Sequence, residues 1–521
     1  MTASGLRLAG VLGAAFVIRV AMLASTLSRL DGDEAVTGIM AQRINEGHHL
    51  AFFAGQAYQG SGEQYLQALF LRFLPDTPFT LRLPQVALAV LACAGVYLLA
   101  RRCLRSEGRA LLAAALFAVG PFFSVWWSVK SRGAYNSALV LGLGGLLVAL
   151  WVRPDDRRTV AKLGLFGLVC GLGFWANWQA AYLLLPAALW LIGTLPGWRL
   201  LRAVPAAVVG FVIGAAPSLG HLILTGPLEA AGQHPPSTLG FRAKQVVTGV
   251  IPQFVGVQIG QERVLPWLRP AVATIVIGAA LAVALWFRRR GLLDMALLRR
   301  RAREPIDLLL LCVVLTPLLY AQSAAARNTF PGYMYPLYAV VPVLVAAVPV
   351  PAALRRRWLP SAMAAALVVA SAGLCWVTAD EFWERGEYVV PLNTGERIPT
   401  DQLPAVVDAL VAEGAPSVFA DYWLANPMQF LAGGRLVASS TSTYRFPSIT
   451  AAAKADPSPA LVVPAGPRAD ALRNAIIAAG SVARERRIKD LVLFTGIRPG
   501  LAPTETIVMD GALQPAPLIR P

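Results

Sequence analysis

The sequence predicts a polytopic α-helical membrane protein that carries a small α/β domain outside the bilayer. Three observations predict it. Of the 521 residues 56% are hydrophobic and only 14% charged, a balance that cannot furnish the surface of a soluble globule of this length. Apolar runs of spanning length, roughly 17–25 residues each, recur along residues 1–378. After residue 378 the pattern shifts to short apolar strands alternating with helices of ordinary soluble length. The chain is therefore divided into a membrane domain, 1–378, and a soluble domain, 379–521.

About eleven spans are expected, near 7–26, 83–100, 109–127, 134–152, 162–177, 179–196, 203–224, 267–287, 306–322, 335–350 and 359–378. Only Asn177, Trp178 and Gln179 separate the two runs within 162–196. Arg7 precedes the first run as in a signal peptide, but no small-x-small cleavage site follows, so this run reads as a retained anchor.

Basic residues set the orientation, because short loops rich in Arg and Lys stay in the cytoplasm. Arg101, Arg102, Arg105 and Arg109 mark the first such loop; Arg153, Arg157, Arg158 and Lys162 the next; Arg199 and Arg202 the third. Seven arginines between Arg288 and Arg303, then Arg355 to Arg357, mark the last two. Short loops of the other parity carry only Lys130, Arg132 and Arg327. The N-terminus is thus expected inside, the soluble domain outside the cytoplasmic membrane, and the net charge of +17 reads as topology rather than as a nucleic-acid surface. The five cysteines lie in spans or at a cytoplasmic edge, with no metal-ligand spacing and no expected disulfide.

Three segments fall outside: 27–82, 225–266 and 379–521. In the first, Val36, Ile39, Met40 and Ile44 recur at helical spacing from Asp33 to Asn45, and Leu66, Leu69, Phe70 and Phe73 do so from Glu63 to Phe73. Two amphipathic helices at the membrane surface fit this pattern. Between them 47–62 is rich in Gly, Tyr, Gln and His and has no period, a loop suited to line a cavity with His48 and Tyr58. In the soluble domain, strands are expected at Ser417–Ala420, Leu461–Pro464 and Leu491–Thr495 and a helix at Ala469–Ala479. The clusters Asp421-Tyr422-Trp423-Leu424-Ala425 and Tyr444-Arg445 can face a ligand, although aromatics at a strand end commonly serve a core.

The chemistry concentrates at Asp31-Gly32-Asp33-Glu34. Adjacent carboxylates beside a bilayer repel one another and are costly to desolvate, which favours a functional reason for keeping them. One cap for the helix beginning here needs one carboxylate, Asp31 or Asp33, and leaves Glu34 without a task. Asp33 is accordingly the candidate general base for a hydroxyl acceptor. Glu63 is read equally as a catalytic acid group or as a favourable charge at a helix N-terminus. Lys130 and Arg132 sit in an outside loop against the positive-inside trend. A phosphate explains them, since both side chains match its charge, and lipid headgroups are the competing explanation. Arg327 carries the same argument, and Tyr135 and Asn136 follow in the same loop as further lining residues. Adjacent His48 and His49 are not expected to hold a metal.

With these residues in view, the chain resembles the GT-C glycosyltransferases. The resemblance rests on Asp33-Glu34 after the first span, Arg82-Leu83-Pro84 at the second, Ser131-Arg132 before the fourth and Gly173-Phe174-Trp175 in the fifth. More narrowly, it is similar to the protein O-mannosyltransferase and aminoarabinose-transferase group over roughly residues 10–350. Asp421 to Ala425 is similar to a run in some bacterial relatives. The resemblance implies inverting transfer of a sugar from a polyprenyl-phosphate carrier to a protein, glycan or lipid acceptor. Asp33 would be the base, Glu34 its acidic neighbour and Glu63 a contributor, with Arg132, Lys130 and Arg327 on the carrier phosphate. Relatives commonly have an acidic residue where this chain has Asn136, so that role is absent or passes to Glu63. The leaving phosphate is anionic already, so no cofactor is required and a divalent metal is not favoured. Two rivals are a transporter or lipid flippase and a catalytically inactive relative. The first would need ionisable residues near the middle of the spans, whereas the spans are almost free of them apart from Arg19, His221 and the polar Asn177, near ends or isolated.

Overall fold

The computed structural model describes residues 3–501 except 28, 154–156, 196, 227–236, 261, 298–303, 328, 350–357, 387–389, 393–394 and 442–444. Tyr444, Asn328 and the arginines at 299–301, 303 and 355–357 therefore lie outside the described residues.

The membrane domain follows the apolar runs. Its helices are α1 (Ala3–Ser25), α2 (Gly32–Asn45), α3 (Gly62–Leu71), α4 (Pro78–Leu104), α5 (Glu107–Val119), α6 (Phe122–Trp127), α7 (Tyr135–Trp151), α8 (Thr159–Ala176) and α9 (Ala181–Thr194). There follow α10 (Gly197–Gly214), α11 (Ala216–Leu224), α12 (Leu239–Gln245), α13 (Ile251–Phe254), α14 (Pro270–Ala296), α15 (Pro305–Gln322), α16 (Leu337–Ala347) and α17 (Leu359–Glu384). Among the described residues seven of these, α1, α4, α8, α10, α14, α15 and α17, are long and apolar enough to cross a membrane, and the segments 135–151, 178–194 and 337–347 are shorter apolar helices.

Two of the expected runs are interrupted. The run at 109–127 breaks at Gly120, whose φ of 36° leaves the helical region, and at Pro121, which begins a new turn. The run at 203–224 breaks at Ala215, before Pro217. Arg19, fully buried in α1, serves the first break: its guanidinium donates to the carbonyls of Ala118 (3.0 Å) and Phe117 (3.3 Å) at the end of α5. Carbonyls orphaned at a helix end inside a bilayer are costly, and this arginine satisfies them. The break lets α6 turn and deliver the Lys130-Ser131-Arg132 loop to the N-terminus of α2.

Segment 27–82 holds both expected helices, and α3 with the turn after it keeps Leu69 and Phe73 exposed as a surface helix would, but α2 is not a surface helix. In α2, Ala35, Val36, Thr37, Gly38, Ile39, Met40, Ala41 and Ile44 are all buried, because the helix is covered by the C-terminal sheet region through Tyr422, Phe430 and Phe446. The burial takes in Glu34 and Thr37 as well, so it is set by this cover and not by a continuous apolar surface on the helix. Gly38 makes the close fit possible, since a Cβ there would stand 2.5 Å from the ring of Phe430. Between α2 and α3 the expected loop is a small hairpin, β1 (Phe52–Phe53) and β2 (Gln56–Gly60), turned by Gly55 at φ 72°. Two further ribbons are β3 (Gln258–Ile259) with β4 (Glu262–Arg263), and β5 (Val390–Pro391) with β6 (Arg397–Ile398).

The soluble domain is built on one sheet of β7 (Ser417–Ala420), β8 (Val437–Ser440), β9 (Ala460–Pro464), β10 (Val482–Ile488) and β11 (Leu491–Arg498), ordered β10-β11-β9-β7-β8. β7 is parallel to both β8 and β9, while β11 and β10 return antiparallel. Helices α18 (Leu403–Ala412) and α19 (Tyr422–Ala432) share one core with the sheet; α20 (Pro447–Lys454) and α21 (Pro467–Ala478) contribute to a second. Successive parallel strands flank β7 on either side, which is the switch-point arrangement of open α/β sheets. All five cysteines are free thiols.

Candidate active site

Asp31 is the helix cap. Its side chain accepts the Glu34 N–H at 3.1 Å, which leaves Asp33 and Glu34 in the first turn of α2, where negative charge meets the positive end of the helix dipole. One helical residue is a rotation of about 100°, so these neighbours point to different places.

Glu34 points inward and is fully buried. Arg82 of α4 grips it through two parallel bonds, Nε at 2.9 Å and Nη2 at 2.7 Å. The backbone N–H of Ser131 donates at 2.9 Å, and Lys130 forms an ion pair with the same carboxylate. Burial pushes the Glu34 carboxyl up, but Arg82 and Lys130 outweigh it and hold it below its usual range. The same happens at Asp31, where burial is outweighed by Arg132, Lys130 and Arg29. Burial in turn pulls the Lys130 ammonium down to about 8, against the pull of Glu34 and Asp31.

Asp33 points the other way, onto a cavity of about 280 Å³. One of its oxygens pairs with Arg132 Nη2; the other accepts from the Tyr422 hydroxyl at 2.7 Å, with Arg445 Nη2 at 3.8 Å. Arg132 lies over the ring of Trp127 and reaches Asp31 at 3.6 Å. Tyr58, Tyr135, Tyr333, Phe53, Phe330 and Trp127 give the cavity its aromatic walls, and Gln56, Gln59 and Gly133 complete it. Gly133 is left-handed at φ 50°, and a Cβ there would collide with Gln59 Oε1 at 1.8 Å, so only glycine fits. The Trp127 indole N–H, on a residue only 2% exposed, has no acceptor among the described residues.

The expected site residues thus separate into two groups. Asp33, Arg132, Tyr58 and Tyr135 meet at the cavity. Glu34 and Lys130 do not line it: they neutralise one another in the buried cluster behind Asp33. Glu63 does not line it either. It is buried, accepting from Gln85 at 2.8 Å and from the Ser137 N–H at 2.8 Å, and burial pushes its carboxyl up. Asn136 belongs to the same network, donating to Gln85 (2.7 Å) and the Ser128 carbonyl (3.0 Å) and accepting from Tyr335 (2.8 Å). Arg327 is not among the cavity residues, and His48 is exposed at the end of α2. Sequence reasoning did not identify Gln56, Gln59, Trp127, Phe330 or Tyr333 as lining residues. Gln56 and Gln59 fall in the 47–62 loop expected to line a cavity, although only His48 and Tyr58 were singled out there; of the others only Trp127, beside the Lys130-Ser131-Arg132 loop, sits close to a signal that was visible.

Comparison with known proteins agrees with this architecture. Residues 62–223 match the family described as dolichyl-phosphate-mannose-protein mannosyltransferase. No curated protein matches the chain by sequence. The crystal structure of ArnT from Cupriavidus metallidurans bound to undecaprenyl phosphate is 12% identical with a TM-score of 0.60, covering 95% of this chain and 98% of that one. The apo state of the same protein gives 12% and 0.57 over the same shares. The apo oligosaccharyltransferase of Archaeoglobus fulgidus gives 13% and 0.48, over 88% of this chain and 69% of that one.

Proposed function

We propose that this chain, which has the GT-C fold, transfers a sugar from a polyprenyl-phosphate donor to an acceptor hydroxyl at the outer face of the cytoplasmic membrane. The observation that carries the reading is the meeting of Asp33 and Arg132 on the wall of one aromatic cavity. The acceptor oxygen attacks C1 of the sugar while Asp33 takes its proton. The bond from C1 to the phosphate oxygen breaks on the opposite face, with inversion, and its electron pair stays on the phosphate. The donor diester carries one negative charge and the departing monoester two, so a cation at the phosphate is worth more as the bond breaks. Arg132 is placed to supply it.

The charge inventory supports this. Three carboxylates, Asp31, Asp33 and Glu34, face five cations: Arg82, Lys130, Arg132 and Arg445 through the ion pairs of the site, and Arg29, whose charge also acts on Asp31. The positive charge in excess suits an anionic headgroup. The fold likeness to an undecaprenyl-phosphate-bound protein and the description of the matched family support a polyprenyl-type carrier. Orientation follows from the arginine-rich loops: Arg101, Arg102 and Arg105 end α4 on the cytoplasmic side, and Arg82 begins it at the site. The acceptor is a protein, a glycan or a lipid.

The test incubates membranes containing the protein with a panel of labelled polyprenyl-phosphate sugars. Wild type is expected to transfer one of them, and Asp33→Asn to lose about 10²–10⁴-fold in rate with membrane insertion intact. Transfer undiminished in Asp33→Asn would remove Asp33 from the chemistry.

A further inference from the structure

Asp33 is held from outside the membrane domain. Tyr422 opens α19 directly after the carboxyl end of β7, and Arg445 follows the carboxyl end of the neighbouring parallel strand β8. In open α/β sheets this edge is the one that meets ligands, and here it is turned onto the cavity. The Tyr422 hydroxyl accepts a hydrogen bond from Arg445 Nε at 3.2 Å and donates to Asp33 Oδ1 at 2.7 Å. A guanidinium has no acceptor, so its bond to the hydroxyl oxygen leaves the single phenolic proton to point at Asp33. Arg445 is anchored in turn by the carbonyls of Ala54 and Gly55 in the β1–β2 turn, at 3.4 Å each. Gly32 makes room for the approach: a Cβ there would stand 2.8 Å from Tyr422 Cε1.

We propose that Tyr422, oriented by Arg445, is a positioning residue for Asp33, so that the soluble domain is a working part of the transfer site. This rests on the function proposed above. With Arg132 on one carboxylate oxygen and Tyr422 on the other, the group cannot rotate about its terminal bond. Each oxygen keeps a second lone pair, so Asp33 still accepts the proton of the incoming hydroxyl.

The full-length protein is tested with the labelled polyprenyl-phosphate sugar that wild type uses. Tyr422→Phe is expected to lower kcat about ten-fold or more while donor KM stays within about two-fold, the signature of misplaced chemistry rather than lost binding. Gly32→Ala keeps the hydroxyl but displaces the ring, and should lose kcat in the same way. Arg445→Lys should recover part of what Arg445→Ala loses. Adding Tyr422→Phe to Asp33→Asn should cost nothing more, because Tyr422 acts through Asp33. Independently of activity, the carboxylate stretch of Asp33, isolated as the infrared difference between wild type and Asp33→Asn, should shift in Tyr422→Phe. An unshifted band, or an unchanged kcat in Tyr422→Phe, overturns the positioning role. Wild type that transfers none of the sugars while the band does shift overturns the proposed function alone.

Discussion

Asp33 and Glu34 are consecutive residues of the same type in the same helical turn, yet one sits 27% exposed on a cavity and the other is sealed at 0% between two cations. The outer side of the α2 N-terminus holds a carboxylate whose partners, Arg132 and Tyr422, lie beside open space. The inner side holds a carboxylate whose partners, Arg82, Lys130 and the Ser131 N–H, leave it no free direction. In the function proposed here, stability and reactivity thus fall to neighbouring side chains by a rotation of one residue. The buried pair fixes where α2, α4 and the Lys130-Ser131-Arg132 loop meet, and that fixed junction is what aims Asp33 and Arg132 at each other.

The sharpest way to break this comparison is at Glu34. Removing one member of a buried ion pair leaves a desolvated charge and costs about 3–5 kcal/mol. Glu34→Ala should therefore depress the thermal unfolding temperature of the detergent-solubilised protein far more than Asp33→Asn does. Removal of Arg82 as well should cost less than the sum of the two single losses, because each single variant already breaks the shared contact. Equal unfolding temperatures for the Asp33 and Glu34 variants would erase the distinction drawn between the two carboxylates.

Next in size is Arg132→Ala. A hydrogen bond to a charged group contributes about 1.5–3 kcal/mol, so its loss should raise the donor KM by roughly ten- to hundred-fold. Lys130 provides the contrast. Its ammonium is committed to Glu34 and Asp31, so Lys130→Met should act first on the unfolding temperature. A pure donor KM effect at Lys130, with stability intact, would return it to the phosphate.

These assignments divide along what a sequence can carry. Long apolar runs with arginine-rich ends mark the bundle because hydropathy and charge are local properties, and Asp31 was legible as a possible cap for the same reason. The Gly120-Pro121 break was present as a dipeptide but hidden within a continuously apolar run. Partnership was not legible. Glu34 meets Arg82 across 48 residues and Asp33 meets Tyr422 across 389, and nothing in either local pattern encodes the other. Lys130 stood out as a cation against the topological trend, yet the trend could not distinguish a phosphate from a buried carboxylate as its partner. Asp421-Tyr422 was legible by composition, while the approach of Tyr422 and Phe430 to α2 depends on Gly32 and Gly38, whose importance appears only once the opposing rings are placed.

The smallest expected effect separates Glu63 from Asp33. Among the described residues no cation pairs with Glu63, and burial pushes its carboxyl above the ordinary carboxylate range. A carboxyl whose folded pKa exceeds its unfolded one binds protons more tightly in the folded state, so its contribution is complete below the unfolded value and is lost as pH rises through the folded value. Glu63→Gln mimics the protonated acid, with the Gln85 and Asn136 amides turning over to match. The variant should unfold at the same temperature as wild type near pH 4 and at a progressively higher one as pH climbs past 5, with sugar transfer retained. Loss of transfer in a Glu63→Gln protein that keeps its stability would instead place this buried carboxyl in the reaction beside Asp33.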